Sequence, residues 1–236
     1  MSFGTLYTHN PNPRSFGIIT VAKTLGVELD IVYIDRNKEE DQKTLQKLNP
    51  LNQVPVFVGS DGFVLTECVV IALYITSQHP ETTLLGSTRK DYHTILKWLS
   101  LANSDLLPAI GGIILPLLGL PLAVRKNTQD CLCALHADFK LLEAHLQDNK
   151  YLVGDEVTLA DFFTAGTMVF GVMVFHAMLR EKYPRVMEWF LGVHGMPLFK
   201  DVVGELKYLN VPVPALEEDG ESLQALVDAS PPSQSP

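Results

Sequence analysis

Hydrophobic and polar positions change their period along the first 80 residues of the chain. Short runs rich in β-branched and aromatic residues predict strands, whereas apolar residues three and four positions apart predict helices. The predicted strands are Thr5–Thr8, Glu28–Ile34, Val54–Val58 and Phe63–Thr66. Helices are predicted before Gly26, before Asn49-Pro50, and from Glu67 to about Gln78. The resulting βαβαββα order is typical of an α/β domain.

Later residues follow a helical pattern. Two pairs have the spacing of a capping box at a helix start, Thr88 with Asp91 and Thr158 with Asp161. Leucine and phenylalanine recur on one face of a long helix predicted between them, from about Val124 to Gln147. Prolines 184 and 197 suit the first position of two further helices.

These patterns divide the chain into three parts. Residues 1–80 are predicted as the α/β domain, residues 88–208 as an all-helical domain, and residues 209–236 as an acidic, Pro-rich tail. Within the tail, the segment ESLQALVDA could dock as a helix.

One apolar stretch in the helical half tests this division. Residues from Leu106 to Val124 include no charged or polar side chain, and the stretch is long enough to span a bilayer. It also contains three prolines and three glycines, which remove amide donors and add backbone freedom. We therefore expect a buried, kinked helix end or the apolar wall of a pocket, with a membrane span as the alternative.

Charge and cysteine content narrow the class of protein. Lys and Arg number 18 against 27 Asp and Glu, a net charge of −9, and without a basic run a nucleic-acid surface is not expected. Three cysteines without a C-x-x-C pair indicate a reducing compartment and no disulfide framework. No basic segment followed by an apolar core opens the chain, so we predict a cytoplasmic protein without a signal peptide.

The turn after the first strand contains no nucleophile. It reads THNPNPRS, and no Cys, Ser or acidic residue occurs before Arg14.

The whole pattern resembles a known family. A βαβαββα unit whose third strand opens with Val-Pro is thioredoxin-like, and with the helical half it resembles the cytosolic glutathione transferases over residues 1–208. The stretches GTLYT, WLSLANSDLLP, YLVGDEVTLAD and WFLGVHGMPLFKDVVGELK are similar to the transferase-like part of elongation factor 1B gamma. They are also similar to fungal stand-alone transferases, some of which serve secondary-metabolite pathways. The resemblance implies glutathione as cosubstrate, an apolar electrophile as second substrate, and a homodimer.

The resemblance also implies a glutathione site. Pro55 would be cis, so that the backbone of Val54 pairs with the cysteinyl part of glutathione; an ordinary trans proline is the alternative. Glu67 would accept from the γ-glutamyl ammonium. Cys68 stands where the family has Ser, and its N–H would bind the carboxylate. The thiol of Cys68 would be a weaker hydrogen-bond donor than the hydroxyl of Ser. Two alternatives are that Cys68 is simply a small buried side chain, or that its thiol is reactive.

Other residues of the implied site have open alternatives. Asn52 and Gln53 could face the glutathione backbone or be solvated, and Arg14 could pair with a carboxylate of glutathione or form a surface ion pair. Counting back from Arg14 places the thiol-activating donor at Asn10, with Ser15 as the second candidate. Asn10 could equally begin an Asn-Pro turn.

Side chains near these could also contribute. His9 is a candidate base or a solvated side chain, and Tyr7 more plausibly packs in the strand. The first helix of the second half would form one wall of the cleft and the dimer interface. The acceptor site would be lined by the apolar stretch together with Phe170, Met173 and Phe175, although core packing is the favoured interpretation of each residue taken singly.

Three functions are compatible with these residues. The first is an enzyme that presents glutathione thiolate to an electrophile, either by conjugation or by reversible addition that isomerises a cis or trans alkene. The second is a non-catalytic scaffold of the elongation factor 1B gamma type. The third is a glutathione-dependent redox enzyme, against which the absence of cysteine in the first turn argues.

Overall fold

The structure, a computed structural model, describes residues 2–117 and 128–209. Its strands are β1 (Gly4–Thr8), β2 (Leu29–Tyr33), β3 (Val56–Gly59) and β4 (Val64–Leu65). Its helices are α1 (Pro13–Thr24), α2 (Glu39–Leu48), α3 (Cys68–Thr76), α4 (Arg89–Leu101), α5 (Leu107–Leu117), α6 (Thr128–Asp148), α7 (Leu159–Lys182), α8 (Pro184–His194) and α9 (Pro197–Val203). The predicted tail from residue 210 onward, with its ESLQALVDA segment, lies outside the described residues, as do residues 118–127.

The strands form one mixed sheet in the order β2-β1-β3-β4. β1 runs parallel to β2 and antiparallel to β3, and β4 is antiparallel to β3. The predicted thioredoxin-like fold followed by a helical domain is thus confirmed. β3 begins at Val56, two residues later than predicted, because Pro55 has no amide to donate to a ladder.

Both predicted capping boxes occur. At the start of α4, Asp91 N donates to Thr88 Oγ1 at 3.1 Å, and Thr88 N donates to the Asp91 carboxylate at 2.9 Å. At the start of α7, Thr158 N donates to the Asp161 carboxylate at 2.8 Å. The second box is buried in the core and the first lies at the surface. Helices α8 and α9 begin at prolines, as predicted.

The sheet domain packs on the helical domain mainly through α1 against α7. The helices approach so closely that a Cβ added at Gly17 would lie 2.7 Å from the Cα of Phe163. α7 is apolar and long enough to cross a membrane by composition, but 72% of its most apolar window is buried, as in a core helix.

The apolar stretch that begins at Leu106 continues as α5 up to Leu117. Five α5 residues are buried and Pro116 lies inside the helix, in agreement with the predicted buried, proline-containing helix end. A π-helical turn, Ala102–Leu106, joins α4 to α5, and the N–H of Leu107 reaches the carbonyl of Ala102 five residues earlier. The remainder of the predicted wall, residues 118–124, lies outside the described residues.

Candidate active site

A cavity of about 560 Å³ lies where β1 ends and the loop before β3, the start of α3 and the π-helical turn converge. Seven of the nine predicted site residues line it: Arg14, Asn52, Gln53, Val54, Pro55, Glu67 and Cys68. His9, predicted as a candidate base or a solvated side chain, also lines the cavity, and so does Asn103, which the family resemblance placed on the helix at one wall of the cleft. The predictions missed Asn12, Arg36, Asn49 and Leu51, which complete the lining. Asn10 and Ser15 are not part of it.

The loop from Asn49 to Pro55 presents a backbone edge to the cavity. Asn49 is buried; its Nδ2 donates to the carbonyl of Gln53 at 2.9 Å and its Oδ1 accepts from the N–H of Leu51 at 3.0 Å. The Val54–Pro55 peptide is cis, as predicted. Because the pairing of β3 with β1 ends at Val56, the backbone of Val54 is left for a ligand.

The start of α3 forms the opposite wall. Glu67 is exposed and adopts a φ of 67°, outside the helix it precedes. Cys68 is buried as the first helical residue, and its thiol donates to Asn103 Oδ1 at 3.3 Å. Burial raises the pKa of the Cys68 thiol, with the charge of Arg14 acting against it. A protonated thiol held by an amide oxygen does not favour the reactive-thiol alternative.

The first turn differs from the prediction. Asn10 is exposed in a cis peptide with Pro11, outside the cavity lining, because the chain has not yet reached the helix. Asn12 occupies the N-cap of α1 instead, with only 4% of its surface exposed. Its Oδ1 accepts from the N–H of Arg14 at 3.1 Å. Asparagine before a proline at the first helical position is a favoured N-cap, so a local signal for Asn12 existed.

Ser15, the second predicted donor, lies outside the cavity lining as well. It lies one turn into α1, on the side facing the sheet, and is 2% exposed. Its hydroxyl lies 2.7 Å from Thr8 Oγ1, and the Nδ2 of Asn12 donates to the same Thr8 oxygen at 3.1 Å. The Asn12 amide retains a second hydrogen, for which no acceptor occurs among the described residues.

The cavity is basic although the chain is acidic. Arg14, Arg36 and His9 line it, against the single carboxylate of Glu67. Burial and the neighbouring charges of Arg36 and Arg14 lower the pKa of His9, so that its imidazole is neutral at neutral pH. The lining therefore suits a ligand with carboxylates and at least one ammonium group.

A second groove of about 480 Å³ lies between the end of α6 and α8. Four of its lining residues are charged, and two of them, Arg185 and Glu188, pair with each other at 3.0 Å. Because it contains neither the predicted residues nor a free backbone edge, we place the candidate site in the first cavity. Of the predicted acceptor-site residues, Phe175 is buried in the core, whereas Phe170 and Met173 are half-buried.

Comparison with known proteins identifies the family. Residues 2–77 match the glutathione S-transferase N-terminal domain and residues 106–197 match the C-terminal domain. The chain therefore belongs to the glutathione S-transferase family. Glutathione as the predicted cosubstrate agrees with this family.

Individual relatives are similar over most of the chain. Glutathione S-transferase mdpJ of Emericella nidulans is 40% identical over 204 residues, 86% of this chain and 92% of that protein. The GST-like domain of elongation factor 1-gamma from Saccharomyces cerevisiae superposes with a TM-score of 0.74 and 28% identity, covering 92% of this chain and all of that domain. The glutathione transferase URE2P6 from Phanerochaete chrysosporium, solved with oxidized glutathione, shares the fold with a TM-score of 0.75 and 21% identity over 85% of this chain and 94% of that one.

Proposed function

We propose that the protein is a glutathione transferase that binds glutathione as the thiolate and presents it to an apolar electrophile. The observation that carries this proposal is the Asn12 amide, which is buried at the cavity wall with one hydrogen uncommitted. An amide N–H stabilises a thiolate by donating to it, and the positive end of α1 adds to this effect. A free thiol titrates near pH ~8.5, so a shift of about one to two units suffices for a thiolate at neutral pH.

The remaining lining matches the other parts of glutathione. The Glu67 carboxylate accepts from the γ-glutamyl ammonium, and the N–H of Cys68 at the start of α3 donates to the adjacent carboxylate. The backbone of Val54 pairs with the cysteinyl peptide as an added strand would. Arg14 and Arg36 supply charge for the two carboxylates. Asn52 and Gln53 complete the polar wall.

Two outcomes follow from the same bound thiolate. In conjugation the sulfur stays on the product. In isomerisation the thiolate adds to a polarised alkene, the resulting single bond rotates, and the thiolate leaves with net change only in alkene geometry. Incubation with isotopically labelled glutathione separates them, because label retained in the product excludes isomerisation. A role in fungal secondary metabolism is part of this proposal because a glutathione S-transferase from a fungus is 40% identical to this chain. A cytoplasmic location is also proposed, because all three cysteines are free, as in a reducing compartment.

The resemblance to the GST-like domain of elongation factor 1-gamma favours a second function, a scaffold for partner subunits. Calorimetry with glutathione distinguishes the two functions. The transferase binds glutathione and turns over a chloronitroaromatic electrophile, and Asn12→Ala lowers turnover while leaving binding detectable. If no heat of binding is measured at millimolar glutathione, the transferase proposal is rejected and the scaffold function is favoured.

We further propose that the protein is a homodimer whose interface includes α4, as the family resemblance implies, and the outer face of β4 and α3. The side chains of Phe63 and Val70 are 43% and 46% exposed, and the Phe63 ring lies 5.4 Å from that of Tyr74 on α3. Apolar side chains clustered next to an edge strand are typical of an interface. Light scattering should give twice the chain mass, and Phe63→Lys should give the monomer; a monomeric wild type would reject the proposal.

A further inference from the structure

Three side chains at the first turn form a buried hydrogen-bonded group, Thr8 at the end of β1 with Asn12 and Ser15 on the far side of the turn. Thr8 and Ser15 are 1% and 2% exposed, and their hydroxyl oxygens are 2.7 Å apart. Thr8 Oγ1 also accepts from Asn12 Nδ2 at 3.1 Å. The hydrogen bonds among these three side chains offset the cost of burying their polar atoms.

The hydrogen bonds around Asn12 determine the orientation of its side-chain amide, that is, the directions in which Oδ1 and Nδ2 point. The N–H of Arg14 requires an acceptor and holds Oδ1, so that Nδ2 must face Thr8. The Thr8 hydroxyl hydrogen has acceptors at Ser15 Oγ, 2.7 Å away, and at the carbonyl of His9, 3.3 Å away. With that hydrogen directed to either, Thr8 offers a lone pair to Asn12. Flipping the amide would set the Nδ2 hydrogens against the N–H of Arg14, so the backbone of Arg14 fixes the orientation and Thr8 holds one of the two Nδ2 hydrogens.

We infer that Thr8, supported by Ser15, is a positioning residue that aims the free N–H of Asn12 at the glutathione sulfur. This inference rests on the proposed function of Asn12. An amide that could rotate would donate to a thiolate only part of the time, whereas a fixed donor acts without reorganisation. Ser15 therefore has a part in activation, but through Thr8 and Asn12 and without contact to the sulfur.

The test is the titration of glutathione bound to each variant, followed by the ultraviolet absorbance of the thiolate. In Thr8→Val the isosteric side chain keeps the packing and removes the acceptor, and the pKa of the bound thiol should rise by about one unit, a tenfold lower thiolate fraction below the pKa. Ser15→Ala should give a smaller rise, and Thr8→Ser should restore the wild-type value. kcat at low pH should fall with the thiolate fraction, while the KM for glutathione changes less than about twofold because the carboxylate and ammonium contacts remain.

Thr20→Val is the matched control. Thr20 is also fully buried and lies on α1, but its hydroxyl donates to the carbonyl of Phe16 at 2.8 Å, within the helix. The Thr20→Val variant loses a buried hydroxyl that does not contact Thr8, Asn12 or Ser15. The pKa of the glutathione thiol bound to this variant should therefore equal that measured with the wild type.

The outcomes separate the inference from the proposed function. A Thr8→Val titration equal to those of the wild type and Thr20→Val, with Asn12→Ala shifted, overturns the positioning role and leaves the transferase. A wild type that does not lower the thiol pKa of bound glutathione overturns both. If Thr8→Val does not fold, Ser15→Ala against Thr20→Val decides the same question, with equal titrations rejecting the role.

Discussion

Replacing Asp161 by alanine should destabilise the protein far more than the same change in the chain's other capping box. Asp161 is fully buried, and its Oδ1 accepts from Leu152 N and Trp189 Nε1, both at 2.9 Å. Its Oδ2 accepts from the N–H and the hydroxyl of Thr158 at 2.8 and 3.0 Å. The carboxylate thus joins the start of α7 to α8 and to the loop after α6.

The magnitude follows from what alanine leaves behind. Three buried N–H groups would lose their acceptor, each at a cost of about 1–3 kcal/mol, while the Thr158 hydroxyl can rotate. Part of this is offset because a buried carboxylate is itself costly, and burial raises the pKa of Asp161 against the effect of its four donors. We expect a net loss of about 3–5 kcal/mol from these opposing effects.

Urea denaturation at equal protein concentration measures this loss. The midpoint should fall with an unchanged m-value, and the melting temperature should fall by about 6–20 °C for a chain of this size. Asp161→Asn keeps one oxygen and should cost less than alanine. Asp91→Ala is the control, because Asp91 caps α4 with the same Thr-x-x-Asp spacing at the surface, where water replaces the lost acceptor. An Asp91→Ala loss equal to that of Asp161→Ala would refute the reasoning.

Two further changes test the fold and the site. Gly17→Ala should separate α1 from α7, since the new Cβ would lie 2.7 Å from backbone, and should destabilise the protein; Gly192→Ala in α8 has nothing within 4 Å and should stabilise it by about 0.5–1 kcal/mol. A destabilising Gly192→Ala and a neutral Gly17→Ala would contradict the packing. Because the pKa of His9 is lowered, the unfolded chain binds more protons there, and stability should fall as the pH drops through about 6.5. The urea midpoint of His9→Gln should fall less over this range, and an equal fall in both proteins would argue against a buried neutral His9.

Local chemistry made the helix starts and the cis proline predictable from sequence. The two Thr-x-x-Asp pairs need only residues three apart, and the Val-Pro at the third strand was identified through the family resemblance. The thiol-activating donor was assigned to Asn10 by counting back from Arg14. That count carried no information on where α1 begins, whereas the N-cap preference for Asn12 did.

Tertiary structure determines how the residues distant in sequence reach the cavity. Asn103 reaches the cavity from the helical domain through the π-helical turn, which adds a residue to the register and has no signature in the hydrophobic pattern. Arg36 follows β2, and it lies beside His9 only because β2 pairs in parallel with β1. Neither the position of Asn103 at the cavity nor that of Arg36 beside His9 can be deduced from the local sequence.

The charge of the cavity suits glutathione, and it suggests that the apolar electrophile is recognised mainly by the helical domain. A chain with a net charge of −9 repels anions at a distance, yet Arg14 and Arg36 line the same cavity, whose lining contains one carboxylate, that of Glu67. Bringing two guanidinium groups together is costly unless a ligand supplies opposite charge, and glutathione has two carboxylates and one ammonium. Among the described residues, the apolar part of this cavity's lining is confined to Leu51, Val54 and Pro55. We therefore expect discrimination among electrophiles to come from the helical domain, where Met173→Ala should change the KM for the electrophile and leave that for glutathione unchanged.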